Sequence, residues 1–409
     1  MRIKILVIIM SVISISIDAQ IINYSTSDGL IDNFIECIAV DVNDNIWFGS
    51  SVGVQMYDGV NWIAYDQANF PGMLSDNIKC INTMANGDIW IGTDFGANQL
   101  VAGVSGLMFL SYTNTNGLIS NQVKSIDEDA NGGVWIGTNQ GVSYFDGSSW
   151  ISYTSPDLHW SGVNATAFDS NGDKWFASPL GGITHFDGIN FTSYDTANGL
   201  LSQYVTDLVI DNQDNKWVGT SSGMSVLDAS NTTFTHHTRM YLLPPPDTLN
   251  PVVNIDIDSW GRVWTSIYVG YLAEGGVAYW NGNQWEDYDV TDGLAGPNVK
   301  ELEIDSQNNI WIATTTGVSR ISSVPSALVE VEDIHLQLFP NPCSDILYLI
   351  SDKKNIESVY IYDNIGSLVY INKDNYSDYK INTSSFCAGI YHMNIHLPNT
   401  ILNKKIVVH

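Results

Sequence analysis

Between about residue 20 and residue 324 the chain alternates short apolar runs with clusters of Asn, Asp and Gly. The runs are four to six residues long and rich in β-branched and aromatic side chains, which reads as strands rather than helices. They come in groups of four. The second run of each group carries a tryptophan: Trp47, Trp90, Trp135, Trp175, Trp217, Trp264 and Trp311, at intervals of 40 to 47 residues. A self-similar unit of that length with an aromatic anchor is a structural repeat. Asp129–Gly147, DANGGVWIGTNQGVSYFDG, is a clear copy of it.

The first run of each group ends in an acid six residues before the tryptophan: Asp41, Asp129, Asp169, Asp211, Asp258 and Asp305, with Met84 in the remaining group. The Asn/Asp/Gly cluster between acid and tryptophan supplies the tight turn of a hairpin. Two residues after each tryptophan stands a small side chain: Gly49, Gly92, Gly137, Ala177, Gly219, Ser266 and Ala313. That pattern predicts close approach of a neighbouring sheet. The third run opens on Gly, as in Gly141-Val142, and the fourth carries two aromatics, as in Trp150 and Tyr153.

Seven repeats of four antiparallel strands predict an all-β chain with a seven-bladed β-propeller over residues 20–324. The seventh group lacks its fourth run. The missing pattern stands at the N-terminus, where Ile21–Gly29 matches Asp287–Gly293. The N-terminal strand is therefore expected to complete the last blade and leave no open edge. A buried tryptophan removes roughly 150–250 Å² from water, so seven at one structural position read as core rather than as a ligand cage. The repeated Asp reads as a hairpin brace, because each stands without the several oxygens a calcium loop needs.

Residues 1–19 have the pattern of a signal peptide, with Arg2 and Lys4 ahead of the apolar run Ile5–Ile17 and Ala19 at the cleavage position. The run is short for a membrane span, and no other stretch is longer, so a mature chain without a transmembrane span and outside the cytoplasm is expected. Residues 325–332 read as a linker. Residues 333–409 change pattern and predict a small β-sandwich. Cys343 and Cys387 both lie in this second domain, where an exported context permits a disulfide and leaves a paired and a free state both open. Cys37 and Cys80 hold equivalent positions in neighbouring blades and are expected to be free, buried thiols.

Charge narrows the partners. The chain carries a net −28 at pH 7. Residues 20–324 hold 34 acidic and eight basic side chains, which argues against nucleic acid as a partner. First-run acids Asp127, Asp207, Asp256, Glu301 and Glu303 are placed to approach a central channel. Solvated carboxylates and a Ca²⁺ site are the two readings of that lining; no other cofactor or metal is indicated. Two insertions break the regular linkers: His236–Pro251 between blades five and six, and Ser266–Gly276 within blade six. Pro156–Gly162 is a third departure. All three are expected on one face, where long loops on a rigid scaffold commonly bind ligands. The candidate surface comprises Trp160, His236, His237, Arg239, Tyr241, Tyr268 and Tyr271, with aromatics to stack on sugar rings and Arg239 for a carboxylate. No catalytic residues are assigned: no HExxH, GxSxG or Cys/His cluster occurs, and adjacent His236 and His237 point opposite ways on a strand.

The repeat, clearest at Asp129–Asp146 and Asp305–Val318, resembles the two-component regulator propeller repeat. The resemblance implies an extracytoplasmic sensing module of the kind that responds to polysaccharides. No kinase follows the propeller here, so signalling in cis is not expected. The tail resembles the type A sorting domain of the type IX secretion system. The residues that carry this are Phe339, Pro340, Asn341, Pro342, Asp345, Gly366, Gly389, Tyr391, Lys404 and Lys405. It implies passage through the type IX machinery and release or attachment at the cell surface. The expected function is a non-catalytic binding module, for a polysaccharide or a surface protein. The alternatives are a secreted lyase or hydrolase, since the repeat also resembles streptogramin-lyase propellers, and a cell-surface scaffold.

Overall fold

The computed structural model describes residues 20–103, 106–240, 250–268, 275–322, 336–351, 356, 358–362, 368–373, 378–387, 389–397 and 400–408. The signal-peptide region and the 325–332 linker lie outside them. Contacts divide the chain into two units between Val324 and Pro325. Among the described residues the only helical turn is the 3₁₀ turn Thr196–Asn198. No described helix is long and apolar enough to cross a membrane.

The repeat folds as its pattern predicts. Seven four-stranded antiparallel sheets span residues 35–65, 78–112, 123–153, 165–194, 205–237, 252–288 and 299–321 with 21–24. We number these blades 1 to 7. The closing strand Ile21–Tyr24 pairs with Gly317–Ile321, from Ile21 opposite Ile321 to Tyr24 opposite Val318. Ser322 N–H continues the ladder to Gln20 O at 2.9 Å. The N- and C-terminal ends of the propeller thus share one sheet, and the ring closes on backbone hydrogen bonds.

Each anchor tryptophan is buried and packs between its own blade and the next. Trp90 meets Val123 and Ile126 of blade 3, and Trp175 meets Val205 and Leu208 of blade 5. Trp311 closes the circle against Ile35 and Ile38 of blade 1. The small residue two places on leaves room for this approach. A Cβ on Gly49 would lie 2.7 Å from Ile78 of blade 2, and one on Gly92 would lie 2.5 Å from Val123 of blade 3.

The repeated acid is the brace that the pattern suggested. Asp129 Oδ1 accepts from the N–H groups of Asn131 and Gly133 at 2.9 and 3.1 Å, while Oδ2 accepts from Trp135 Nε1 at 2.9 Å. One carboxylate therefore fixes the turn and the anchor together. The same bond to the tryptophan recurs from Asp41, Asp169, Asp211, Asp258 and Asp305 at 2.9 to 3.1 Å. In blade 2 the apolar Met84 fills the place and the turn closes through its backbone, Met84 N–H to Asp88 O at 2.8 Å.

The second unit is a sandwich. Strands Leu336–Phe339, Ile346–Ser351 and Asp378–Asn382 form one sheet. Leu368–Asn372, Ser358–Tyr362, Gly389–Leu397 and Thr400–Val408 form the other. Alternate residues of both face one core: Leu347, Leu349, Tyr379 and Ile381 against Val359, Ile361, Met393, Ile395, Ile406 and Val408. The period of two along each strand is what divides core from surface.

All four cysteines are free. The Cys343–Cys387 pairing is not formed: Cys343 sits in the sandwich core, where Thr383 Oγ1 donates to its sulfur at 3.7 Å, while Cys387 lies exposed. Of the two propeller thiols, Cys37 is buried as expected, and Cys80 is only half-buried because it faces the channel.

Candidate functional site

Linkers between blades and turns between second and third strands meet on one face of the propeller. Ser221 N–H donates to Tyr204 O at 3.1 Å, and Asn139 N–H to Gln122 O at 3.2 Å, each joining a turn to the linker ahead of its blade. This face carries exposed apolar rings: Phe34, Phe95, Trp160 and Tyr204 are 39%, 61%, 47% and 50% exposed. Trp160 lies over the second turn of blade 4, where a Cβ on Gly181 would come within 2.7 Å of it.

The structure sorts the expected surface residues. Trp160, His236 and Arg239 are exposed on this face. His237 is a correction: it turns inward at the blade 5–6 seam. Its ring stacks on Trp217 at 5.7 Å, lies 4.9 Å from Trp280, and its Nδ1 accepts from Trp285 Nε1 at 3.1 Å. Burial, with the neighbouring His236, pushes its pKa down, as suits a neutral acceptor. His236 points the other way, its Nδ1 3.1 Å from Ser225 Oγ. Tyr241 and Tyr271 lie outside the described residues, and of Tyr268 only the backbone is described, paired with Gly275. The start of the first insertion is clamped by buried Met240, whose N–H donates to Asn250 Oδ1 at 2.6 Å.

The inner strands enclose a channel cavity of about 380 Å³. All five acids expected there line it: Asp127, Asp207, Asp256, Glu301 and Glu303. Burial pushes each of them up. Asp127 rises to about 8, helped by the charge of Asp207. Asp207 rises to about 6 and Glu301 to about 8. Burial also raises Asp256 and Glu303, helped by the charge of Asp207 at Asp256 and by that of Asp256 at Glu303. Two of the acids tie blades together. Glu301 Oε2 accepts from Ile38 N–H at 2.8 Å, and Asp207 Oδ2 accepts from Ile255 N–H at 2.6 Å and Asn254 Nδ2 at 3.0 Å.

Lysines recur at the start of three inner strands, a feature that sequence reasoning missed, and Lys124 lines the cavity. Lys79, Lys124 and Lys300 all lie eleven residues before their tryptophans. Lys300 pairs with Glu36 at 3.4 Å and lies 5.1 Å from the Phe34 ring, and Lys79 pairs with Asp94 at 3.7 Å. Aligning the repeats on the tryptophan exposes this coincidence.

Among the described residues, one group of side chains has metal-ligand types in reach of one another: Asp169, Asp173 and His185, within 4.8 Å. Its parts are already engaged. Asp169 braces Trp175, and His185 Nε2 meets Asp173 Oδ2 at 2.9 Å. Blade 2 makes the same link without histidine, from Gln99 Nε2 to Asp88 Oδ2 at 2.8 Å. Lys216 Nζ, 4.7 Å from the Trp175 ring, adds a positive charge that disfavours a cation there.

In the second unit, Pro340, Asn341, Pro342 and Asp345 are exposed, and the segment is pinned to the last strand. Asn341 Oδ1 accepts from Val407 N–H at 2.8 Å, and Cys343 N–H donates to Val407 O at 2.9 Å. Asp345 O accepts from Thr383 N–H at 2.8 Å. Gly389 opens the strand that carries buried Tyr391, whose hydroxyl donates to Cys387 O at 2.8 Å. Lys404 is exposed; the side chain of Lys405 and the whole of Gly366 lie outside what is described.

Comparison with known proteins agrees with this reading of the two units. Residues 337–409 match the secretion system C-terminal sorting domain, and residues 29–51 and 117–140 match the two component regulator propeller. These are the two families that the motifs resemble. No curated protein is detectably similar in sequence. The extracellular domain of a protein described as a hybrid two component system of B. thetaiotaomicron superposes with a TM-score of 0.64 at 16% identity, over 95% of this chain and 57% of its own. PorZ, described as an essential bacterial surface component of the type-IX secretion system of Porphyromonas gingivalis, gives 0.57 at 17% identity, over 92% and 60%. A catalytically inactive virginiamycin B lyase from Staphylococcus aureus with quinupristin gives 0.60 at 14% identity, over 75% of this chain and all of that one. At these identities the likeness is one of fold, and this chain spans about three-fifths of the first two.

Proposed function

From a chain that joins regulator-propeller repeats to a type IX sorting domain, we propose a non-catalytic ligand-binding module, exported to the cell surface or released from it, whose loop-bearing face recognises a carbohydrate. The sorting domain implies the export. The binding reading rests on one observation: four exposed aromatic rings, on Phe34, Phe95, Trp160 and Tyr204, share the face of the inter-blade linkers and the second-to-third turns. Flat apolar rings backed by a rigid scaffold suit the apolar faces of sugar rings, and the scattered polar side chains of the same face suit hydroxyl groups. Arg239 and the lysines at the starts of three inner strands extend the choice to acidic sugars.

The test is a glycan array probed with the mature chain, residues 20–409, beside its Trp160→Ala and Arg239→Ala variants. Saturable binding that falls at least tenfold in either variant supports the reading. Absence of binding to every glycan, or equal binding by both variants, rejects it. Turnover of a bound glycan points instead to a lyase or hydrolase, and co-purification with outer-membrane proteins to a scaffold.

A further inference from the structure

Inner-strand positions around the channel have fixed directions. Side chains ten and eight residues before the tryptophan lean toward the next blade: Cys37 packs in one cluster with Ile78, Ile81 and Ile89 of blade 2. The position between them, nine before, leans back: Ile38 of blade 1 packs on Trp311 and Ala313 of blade 7. Ser125 and Asp127 of blade 3 and Thr166 of blade 4 therefore face one seam, at the edge of the cavity that all three line.

That seam differs from the other six. Their nine-before positions are filled by Ile38, Ile81, Ile126, Leu208, Ile255 and Leu302. Thr166 alone brings an oxygen, and it is 6% exposed. Its Oγ1, Ser125 Oγ and Asp127 Oδ2 are all buried and make no hydrogen bond of good geometry, although Thr166 N–H and the Ser125 hydroxyl lie close enough to the Asp127 carboxyl group to favour its charge. Buried polar oxygens are rarely left so, and three from two blades at one seam call for a shared partner. The neighbouring acids do not share the deficit, since Asp207 and Glu301 are bonded across their own seams.

We propose that the channel binds one hard divalent cation at the seam of blades 3 and 4, held by Asp127 Oδ2 and the hydroxyl oxygens of Ser125 and Thr166. A carboxylate with neutral oxygens is the donor set that Ca²⁺ and Mg²⁺ take, with water from the cavity completing the shell. The sign of the field agrees: Asp207, Asp256, Glu301 and Glu303 face the same cavity, against Lys124 and the half-buried Cys80 thiol. This site is separate from the loop face, and its fate is independent of glycan binding.

Isothermal titration of the mature chain with CaCl₂ and, separately, MgCl₂ at pH 7.5 tests the proposal. The expected result is saturable binding of one equivalent of at least one ion. Asp127→Asn should weaken it at least tenfold, and Thr166→Val and Ser125→Ala severalfold each. No saturable binding of either ion overturns the proposal and leaves water as the partner of the three oxygens. Binding that is unchanged in Asp127→Asn also overturns it, by placing the ion among surface acids. If Asp127→Asn does not fold, wild-type affinity in both hydroxyl variants has the same force.

Discussion

Replacing Asp129 by Ala isolates the brace from everything else in the repeat. Three donors lose their acceptor: the N–H groups of Asn131 and Gly133, and Trp135 Nε1. The first lies in an exposed turn and can turn to water. Gly133 N–H and Trp135 Nε1 are buried and cannot. An orphaned buried donor costs about 1–3 kcal/mol, and bonds to a charged acceptor lie in the upper half of that range. The expected loss from the two donors is therefore about 4–6 kcal/mol, large against a total stability of about 5–15 kcal/mol. Blade 2 supplies the control, because Met84 occupies this place and is 2% exposed. Asp129→Met, which refills the volume, should thus cost less than Asp129→Ala. Urea unfolding of the mature chain, followed by tryptophan fluorescence, measures both. A loss below about 1 kcal/mol for Ala, or a Met variant worse than Ala, would refute the claim that the carboxylate holds turn and anchor as one unit.

Tyr24 stacks on Trp311 at 5.5 Å and meets Trp62 edge-on at 6.0 Å, so Tyr24→Ala should destabilise the propeller by about 3–5 kcal/mol through the closing strand; a shift in urea midpoint no larger than that of an exposed control, Ile189→Ala, contradicts this. The channel acids set a pH dependence. Asp127, Asp207 and Glu301 are held up to about 8, 6 and 8, so above pH 4 the folded chain keeps protons that the unfolded chain has released. Their contribution is full below pH 4 and is lost as pH rises toward 8, by about 1.4 kcal/mol per pH unit for each group still protonated only in the fold. Melting in chelator should therefore fall from pH 5 to pH 8, and the slope should flatten in the Asp127→Asn, Glu301→Gln double variant; a steeper or unchanged slope contradicts the assignment. In native protein iodoacetamide should label Cys387 rapidly and leave Cys37 and Cys343 unlabelled until denaturant is added, whereas a Cys343–Cys387 disulfide would leave Cys387 unlabelled as well.

The ring was legible because its determinants are local and repeated. The acid, the turn, the tryptophan and the small residue two places on all act within one hairpin, and seven copies make each visible. The closing strand could be found because the pattern missing after Ile321 stands at Ile21–Gly29. His237 was misplaced for the opposite reason. Its direction follows from strand alternation, but its burial depends on Trp280 and Trp285 of the next blade, and no local signal carries that contact. The state of Cys343 and Cys387 was open for a similar reason: compartment and domain say nothing about whether two side chains share a core, and both thiols are free. Of the loop residues, the exposure of Trp160, His236 and Arg239 was legible from their place in linkers and at a strand end, while several of the others fall outside the described chain.

Where seven copies obey one rule, a departure that costs stability needs a cause. Most departures here are cheap. Met84 exchanges a brace for apolar volume, and Gln99 does in blade 2 what His185 does in blade 4. Thr166 is of another kind. Its position packs an aliphatic side chain in six blades, and the exchange buries a hydroxyl next to a carboxylate that already resists ionising. A valine there would keep the shape and remove the unpartnered oxygen. Thr166→Val should therefore stabilise the metal-free propeller if the hydroxyl serves only a ligand, and destabilise it if the hydroxyl has a structural role. Melting of this variant with and without CaCl₂ separates the two: a gain in chelator that disappears at millimolar calcium ties the polar residue to the ion, and a loss in both conditions assigns it to the fold.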